Sequence, residues 1–177
     1  YNILAAYAAA RTAGLELKNY NKVLADYNPQ NGRMEHFHIK NTDVLLNLAK
    51  NPAGFNQNIS AVMQDRSPKD VIIAINDNAQ DGIDISWLWD VDFDKLSDEN
   101  LNTLITTGIR LYDISLRFKY ADVKVDYITK NMKQAINRCL STDSEVCYVL
   151  VNYTALYPTQ TTMLEIKKEI GGEKNDR

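Results

Sequence analysis

Six short apolar runs recur along the chain with helix-length stretches between them, and this alternation constrains the fold more than any other feature. Val71-Ile72-Ile73-Ala74-Ile75 and Val146-Cys147-Tyr148-Val149-Leu150-Val151 are almost unbroken. A strand with no polar face must be covered on both sides, the condition of a parallel sheet sandwiched by helices. Runs at 34–39, 44–49, 101–106 and 123–128 predict four more strands of the same set. Helix-compatible segments fall at 53–63, 110–120, 130–139 and 161–170. Together they predict an α/β fold: a Rossmann-like, mostly parallel sheet with helices on both faces.

Residues 3–16 are Ala-rich and read as helix, Gly14 sits where it can end it, and a second short helix fits 20–27. Asn28-Pro29-Gln30-Asn31-Gly32 is the strongest turn signal and the expected domain boundary. The expected organisation is a helical piece over 1–30, the α/β domain over 31–170 and a polar, frayed tail over 171–177. A chain of 177 residues is long enough for such a domain with an appendage. It opens without Met inside a helical stretch, so a fragment of a longer protein is expected.

A net charge of −3 gives no electrostatic reason to expect nucleic acid as a partner. No apolar run approaches membrane-spanning length, and no secretory pattern opens the chain. Cys139 and Cys147 have neither metal-ligand spacing nor a disulfide framework, which fits a reducing cytoplasm.

In such sheets function collects at the loops leaving the carboxyl ends of the strands. Four of these are polar: Lys50-Asn51-Pro52-Ala53-Gly54, residues 76–84, Thr107-Gly108-Ile109-Arg110 and Asn152-Tyr153-Thr154. They predict one polar site at one edge. Asp77, Asp81, Asp84, Asp90, Asp92 and Asp94 crowd into 18 positions. Calcium does not fit, because Ala79 interrupts the alternation of oxygen ligands and Leu88 stands where the closing Glu belongs. Taken singly, these Asp residues read as turn formers and caps. Trp87 and Trp89 beside them are either core anchors or a partner-binding surface.

A nucleophile is harder to find. His36 and His38 share one face of a strand and read as ordinary strand histidines. Both cysteines lie in apolar contexts that suit inert thiols. No Gly-x-Ser-x-Gly elbow exists, and no phosphate-cradling Gly-x4-Gly-Lys-[Ser/Thr] loop occurs among only seven glycines.

Asn31-Gly32-Arg33-Met34-Glu35 resembles the junction between the central and C-terminal domains of the Mur ligase family. Tyr1-Asn2-Ile3-Leu4-Ala5-Ala6 is similar to the helix that closes the family's ATPase domain. Within that family, five segments look like the MurT branch. They are Leu48–Asn56, Asn76-Asp77-Asn78 with Asp81-Gly82-x-Asp84-x-Ser86-Trp87, Thr107–Arg110, Arg117–Ala121 and Asn152–Leu156. The resemblance implies the subunit that uses ATP and Mg²⁺ to activate the α-carboxyl of the stem-peptide glutamate of lipid II as an acyl phosphate. Ammonia then attacks and leaves isoglutamine. It also implies a GatD-like glutaminase partner that releases the ammonia with a Cys and a His and lacks its own third triad residue. Asp84 matches the Asp that the family supplies to that triad. Asn2 matches an adenine-contacting Asn, and Arg33 an Arg that reaches the ribose or phosphates. Lys50, Asn51 and Arg110 fall where relatives meet the ligase substrate, although Arg110 also reads as a surface Arg starting a helix. Ile83 stands where the MurT pattern commonly has Arg, which removes one Arg–carboxylate contact. The resemblance places residues 1–30 at the end of the ATPase domain, with the phosphate loop upstream. It places the work at the inner face of the bacterial membrane, and the chain alone is expected to be inactive. Competing readings are a fragment of an amino-acid-adding Mur ligase or a folylpolyglutamate synthase, or a docking module for a glutaminase without ligase function.

Overall fold

Every residue of Lys69–Ala74 is buried, as a central strand covered on both faces must be. In the computed structural model, which describes residues 2–27, 31–97 and 99–172, this segment is β3 of a six-stranded sheet ordered β1-β2-β6-β3-β4-β5. The others are β1 Glu35–Ile39, β2 Thr42–Leu48, β4 Leu101–Thr107, β5 Tyr127–Ile128 and β6 Val146–Val151. β1 pairs antiparallel with β2 through a tight turn at Lys40 and Asn41; every other pairing is parallel. The fold is therefore α/β with a mostly parallel sheet. β6, the last strand made, fills the slot between β2 and β3. The carboxyl ends of β2, β6, β3 and β4 consequently line one edge, across the point where strand order reverses.

Side-chain alternation divides the interior into two layers. Val71, Ile73 and Leu150 face α3 (Pro52–Gln64), α4 (Leu111–Tyr120) and two 3-10 turns, Ser86–Asp90 and Phe93–Leu96. Phe55, Phe93 and Phe118 fill that layer. Ile72, Ala74 and Val149 face α5 (Met132–Cys139) and α6 (Tyr153–Gly172), through Ile136, Met163 and Ile166. Each large apolar side chain sealed this way contributes about 1.5–3 kcal/mol of transfer free energy.

Two elements differ from the sequence expectation. Residues 123–128 read as a strand, but only Tyr127–Ile128 pair with β4. Val123 instead donates its N–H to Phe118 O at 3.0 Å, closing α4 behind Asp122 at φ 56°. Its apolar side chain is buried as part of a helix ending rather than a ladder. α6 starts at Tyr153, eight residues before the expected 161, and runs through Pro158. Ala155, Thr159, Met163 and Ile166 are buried along one stripe of α6, and that packing outweighs the single ladder bond a proline removes.

Toward the N-terminus lie α1 (Asn2–Thr12) and α2 (Tyr20–Ala25), neither with a buried residue. They touch each other through Tyr7 and Tyr20, whose rings stand edge to face at 5.2 Å. The Tyr20 hydroxyl donates to Ile3 O at 2.6 Å. Of the expected boundary turn at 28–32, residues 28–30 lie outside the described residues, as do residues 173–177 of the expected tail at 171–177, whose first two residues instead end α6. The junction that follows is seated firmly on the sheet. Leu48 N–H donates to Gly32 O at 2.6 Å, Met34 N–H donates to Asn47 Oδ1 at 3.0 Å, and Glu35 Oε2 accepts from Gly32 N and Gln160 Nε2 at 3.0 and 2.6 Å.

Candidate functional site

Three of the four polar loops meet at the carboxyl edge, and Asn76 joins them. Its N–H donates to Asn152 Oδ1 at 3.0 Å, and its carbonyl accepts from Asn152 Nδ2 at 2.6 Å. Its side-chain Oδ1 accepts from Ile109 N–H at 2.9 Å, and its Nδ2 donates to Thr154 Oγ1 at 3.1 Å. Asn76 thus binds the β3 exit to the loop that leads into α4 and to the start of α6. Such a hub leaves no local trace in sequence, because Asn152 and Thr154 lie 76 and 78 positions away. Gly108 makes room for it: a Cβ there would stand 2.5 Å from Ile75 O.

Arg110 extends the same junction. Its Nη2 lies 2.5 Å from Asp77 Oδ2 and its Nη1 3.7 Å from Asp113 Oδ2. The bond from Asp77 raises the guanidinium's already high pKa, so it is a permanent cation. Its Nε is buried and has no partner among the described residues. Arg110 is therefore engaged by the chain's own carboxylates, and gripping a substrate carboxylate requires exchanging Asp77 for it.

The fourth loop stands apart. Asn51 Oδ1 accepts Gly54 N–H at 2.9 Å and caps α3, with Pro52 in the first helical position. Lys50 beside it is exposed, and no hydrogen bond or ion pair among the described residues joins either to Arg110. Asn2 in α1 and Arg33 in the junction are both exposed. Nothing among the described residues links them to each other or to Asp84.

Within the acidic loop the aspartates have different employment. Asp81 is consumed at the start of α6, where Thr154 N–H donates to its Oδ1 at 2.8 Å and the Thr154 hydroxyl to its Oδ2. Asp84 is exposed, and among the described residues it keeps only a local tie, with Ser86 N–H donating to Oδ1 at 2.8 Å. The Ser86 amide and hydroxyl hold its carboxyl below the usual carboxylate range. It is thus a charged group presented outward on a short arch. The two tryptophans part company. Trp87 packs on Phe55 at 5.4 Å between centroids and anchors the first 3-10 turn. Trp89 is 53% exposed, stands against Tyr120 at 5.4 Å, and has the Arg117 guanidinium 5.5 Å from its ring. Asp84, Trp89, Leu116 and Arg117 line one groove of about 310 Å³. Ile83, Leu116 and Tyr120 are exposed as well.

The other chemistry-bearing side chains are engaged with one another away from this edge. His36 Nε2 and His38 Nδ1 converge on Asp43 Oδ1 at 3.0 and 2.7 Å, and hydrogen bonding from His38, then His36, lowers the Asp43 pKa. Cys139 and Cys147 are both buried, and the Cys147 thiol is pushed well up by its bond with Cys139 and by burial. It cannot serve as a thiolate nucleophile. Among the described residues no group of three or more His, Cys, Asp or Glu is placed to hold a metal ion.

All four exit loops fall within the segment of the chain that a family model matches. The MurT ligase C-terminal family model matches residues 48–156, from the end of β2 to the first turns of α6. This chain belongs to that family. It is 38% identical over 159 residues to the MurT subunit of the glutamine-hydrolysing lipid II isoglutaminyl synthase of Staphylococcus aureus (strain COL). The aligned region is 89% of this chain and 36% of that subunit. The Streptococcus pneumoniae (strain ATCC BAA-255 / R6) subunit of the same description is 32% identical over 158 residues, 88% of this chain and 35% of its own. The chain thus spans about a third of the length of these MurT relatives. Among solved structures, the UDP-N-acetylmuramate–alanine ligase MurC of Thermotoga maritima superposes with a TM-score of 0.67 at 13% identity, over 97% of this chain and 37% of its own. The MurF ligase of the same organism, in complex with ADP, gives 0.66 at 14% identity, over 97% and 38%. At such identities these two speak for the fold: a Mur ligase C-terminal sheet carrying the MurT loops. No helix among the described residues is long and apolar enough to cross a membrane.

Proposed function

We propose that this MurT-family chain is the C-terminal part of the ATP-dependent subunit of a lipid II isoglutaminyl synthase, and that Asp84 completes the Cys–His–Asp site of a separate, GatD-like glutaminase. The observation that carries the reading is Asp84 itself, a carboxylate held ionised and presented outward beside the exposed Trp89, Leu116 and Tyr120. A partner seated on that apolar rim would bury the aromatic groups and bring its own imidazole to the carboxylate. The carboxylate would fix the imidazole's tautomer and stabilise its charged form, while the imidazole keeps the cysteine as thiolate. The chain's own buried thiols leave the nucleophile to the partner.

On this reading the released ammonia attacks the activated α-carboxyl of the stem-peptide glutamate, at the inner face of the bacterial membrane. ATP, with Mg²⁺, supplies the phosphoryl group that makes this carboxyl electrophilic. Residues 1–30 form the helical end of the ATPase domain and 31–170 the C-terminal domain; α1 and α2, which bury no residue against the sheet, support this division. Arg33 is an exposed guanidinium beside a rigidly seated turn, suited to a ribose or phosphate contact. The chain spans about a third of the length of its MurT relatives, and on this reading nucleotide is held mainly by the parts of such a subunit that this chain does not cover. Lys50, Asn51 and Arg110 would border the ligase cleft.

The test is to co-purify the full-length protein with its glutaminase and assay amidation of lipid II with glutamine or with ammonium. Amidation from both sources, each needing ATP, is expected; a complex that hydrolyses glutamine but never amidates would reduce the protein to a docking module. Arg33→Ala in the full-length complex is expected to raise the KM for ATP by about 10-fold, the loss of one charge-assisted contact. An unchanged KM would return Arg33 to a purely structural role.

A further inference from the structure

Asp84 stands on a span that is tied down on both sides and bare between the ties. On the strand side the common partner is the Thr154 hydroxyl. It donates its one proton to Asp81 Oδ2 and accepts from Asn76 Nδ2 at 3.1 Å and Asn78 Nδ2 at 2.8 Å. A hydroxyl offers one donor and two lone pairs, so this one is fully used. The Thr154 N–H adds a bond to Asp81 Oδ1, and Asp81 N–H donates back to Asn78 O, both at 2.8 Å. On the far side the first 3-10 turn is held by Leu88, 2% exposed, and by Trp87 against Phe55. Arg117 reinforces it, with Nη2 donating to Val91 O at 2.8 Å. Between the ties, a Cβ on Gly82 would meet nothing within 4 Å, and Ile83 is 77% exposed.

We propose that Thr154 and Asp81 form a positioning clamp, which sets the height and direction at which the Asp84 carboxylate meets the partner's imidazole. The proposal rests on the Asp84 assignment above. Neither clamp residue touches a reacting atom; both act through Asp84. The bare span transmits the position of the tie because only Gly82 and Ile83 separate Asp81 from Asp84. Thr154 also couples the arch to the start of α6, so the carboxylate is referenced to the sheet rather than to a free loop.

The experiment uses the full-length protein in complex with its glutaminase and measures glutamate release. Thr154→Val keeps the side chain's shape and removes the hydroxyl, leaving two amides and a carboxylate oxygen without their common partner. Misplacing a catalytic group by about 1 Å can cost about 10²-fold, so kcat is expected to fall by about 10- to 100-fold. The KM for glutamine should hold, because the partner binds that substrate. Thr154→Ser keeps the hydroxyl and is expected to restore kcat. In an Asp84→Asn background, Thr154→Val should add nothing, since a residue that acts through Asp84 has nothing left to position. Asp81→Asn is the second variant for the same comparison. Its new amide would face a Thr154 oxygen whose lone pairs are taken, so it should repeat the Thr154→Val pattern, and it decides the matter if Thr154→Val fails to assemble. Effects that multiply with Asp84→Asn, a serine variant as slow as the valine one, or a KM change at constant kcat would each overturn the clamp. Undiminished glutamate release by Asp84→Asn alone would instead overturn the Asp84 assignment, and the clamp with it.

Discussion

Asp84→Asn is expected to slow glutamine hydrolysis by the assembled complex by about 10²- to 10⁴-fold, while the complex still forms and still amidates with free ammonium. The upper figure is what loss of the triad carboxylate costs a serine protease; a cysteine already ionised by its histidine depends on the carboxylate less. Asn keeps the volume and can still accept Ser86 N–H through its amide oxygen, the bond that Asp84 Oδ1 accepts at 2.8 Å. What it loses is the charge, and it can turn an NH₂ where the imidazole N–H needs an acceptor. Because Asp84 is exposed and bonded only locally, the substitution should leave the fold untouched. Measuring glutamate release, ammonium-fed amidation and complex affinity side by side separates the possibilities. Normal glutamate release would remove Asp84 from the triad. Parallel loss of both activities would point to a disturbed subunit rather than a missing carboxylate. Asp81 is no substitute candidate, since both of its carboxylate oxygens are already taken by Thr154.

The legibility of each element in the sequence follows from where the information lies along the chain. β3 and β6 were legible because burial on both faces forces an unbroken apolar run. β1 and β2 were legible to within two residues at each end. β5 was overread, because Val123 and Val125 alternate like a strand while packing behind the end of α4. α6 was underread, because Pro158 and its neighbouring threonines look like a break, whereas the buried stripe from Ala155 to Ile166 makes it a helix. Sequence patterns report burial faithfully and report the backbone carrying it less well.

The same distinction governs the site. The polar loops predict one site at four strand exits; those of β3, β4 and β6 meet, while the loop after β2 is occupied in capping α3 and stands apart. The internal wiring was not legible, since Asn76, Asn152 and Thr154 are ordinary polar residues until the sheet brings them together. The role of each aspartate was likewise hidden: Asp77 pairs with Arg110 and Asp81 caps α6, while Asp84 faces outward, a difference set by three-dimensional neighbours. The two tryptophans show the limit plainly. Two positions apart in a 3-10 turn, they point to different sides, so one is an anchor and the other part of the exposed rim.

Gly108→Ala is expected to destabilise the folded chain by about 2–4 kcal/mol, and so to lower its Tm by about 4–16 °C. Gly108 has φ +89°, and an added Cβ would sit 2.5 Å from Ile75 O and 2.9 Å from Ile75 N. Both are backbone atoms of the β3 exit, where Ile75 O also accepts Arg110 N–H at 2.9 Å. Neither can swing aside as a side chain would. Relief requires moving the β4 loop away from β3, which stretches the Ile109–Asn76 bond and disturbs the hub that organises the three loops. Gly82 supplies the matched control: its φ is +87°, but a Cβ there meets nothing within 4 Å. Gly82→Ala carries the same left-handed strain without the collision and should cost only about 1 kcal/mol, or about 2–4 °C. The difference between the two melting temperatures therefore isolates the backbone approach at Gly108. Equal shifts would mean that the close packing of the two loop exits adds nothing to stability beyond the conformation of the glycine itself.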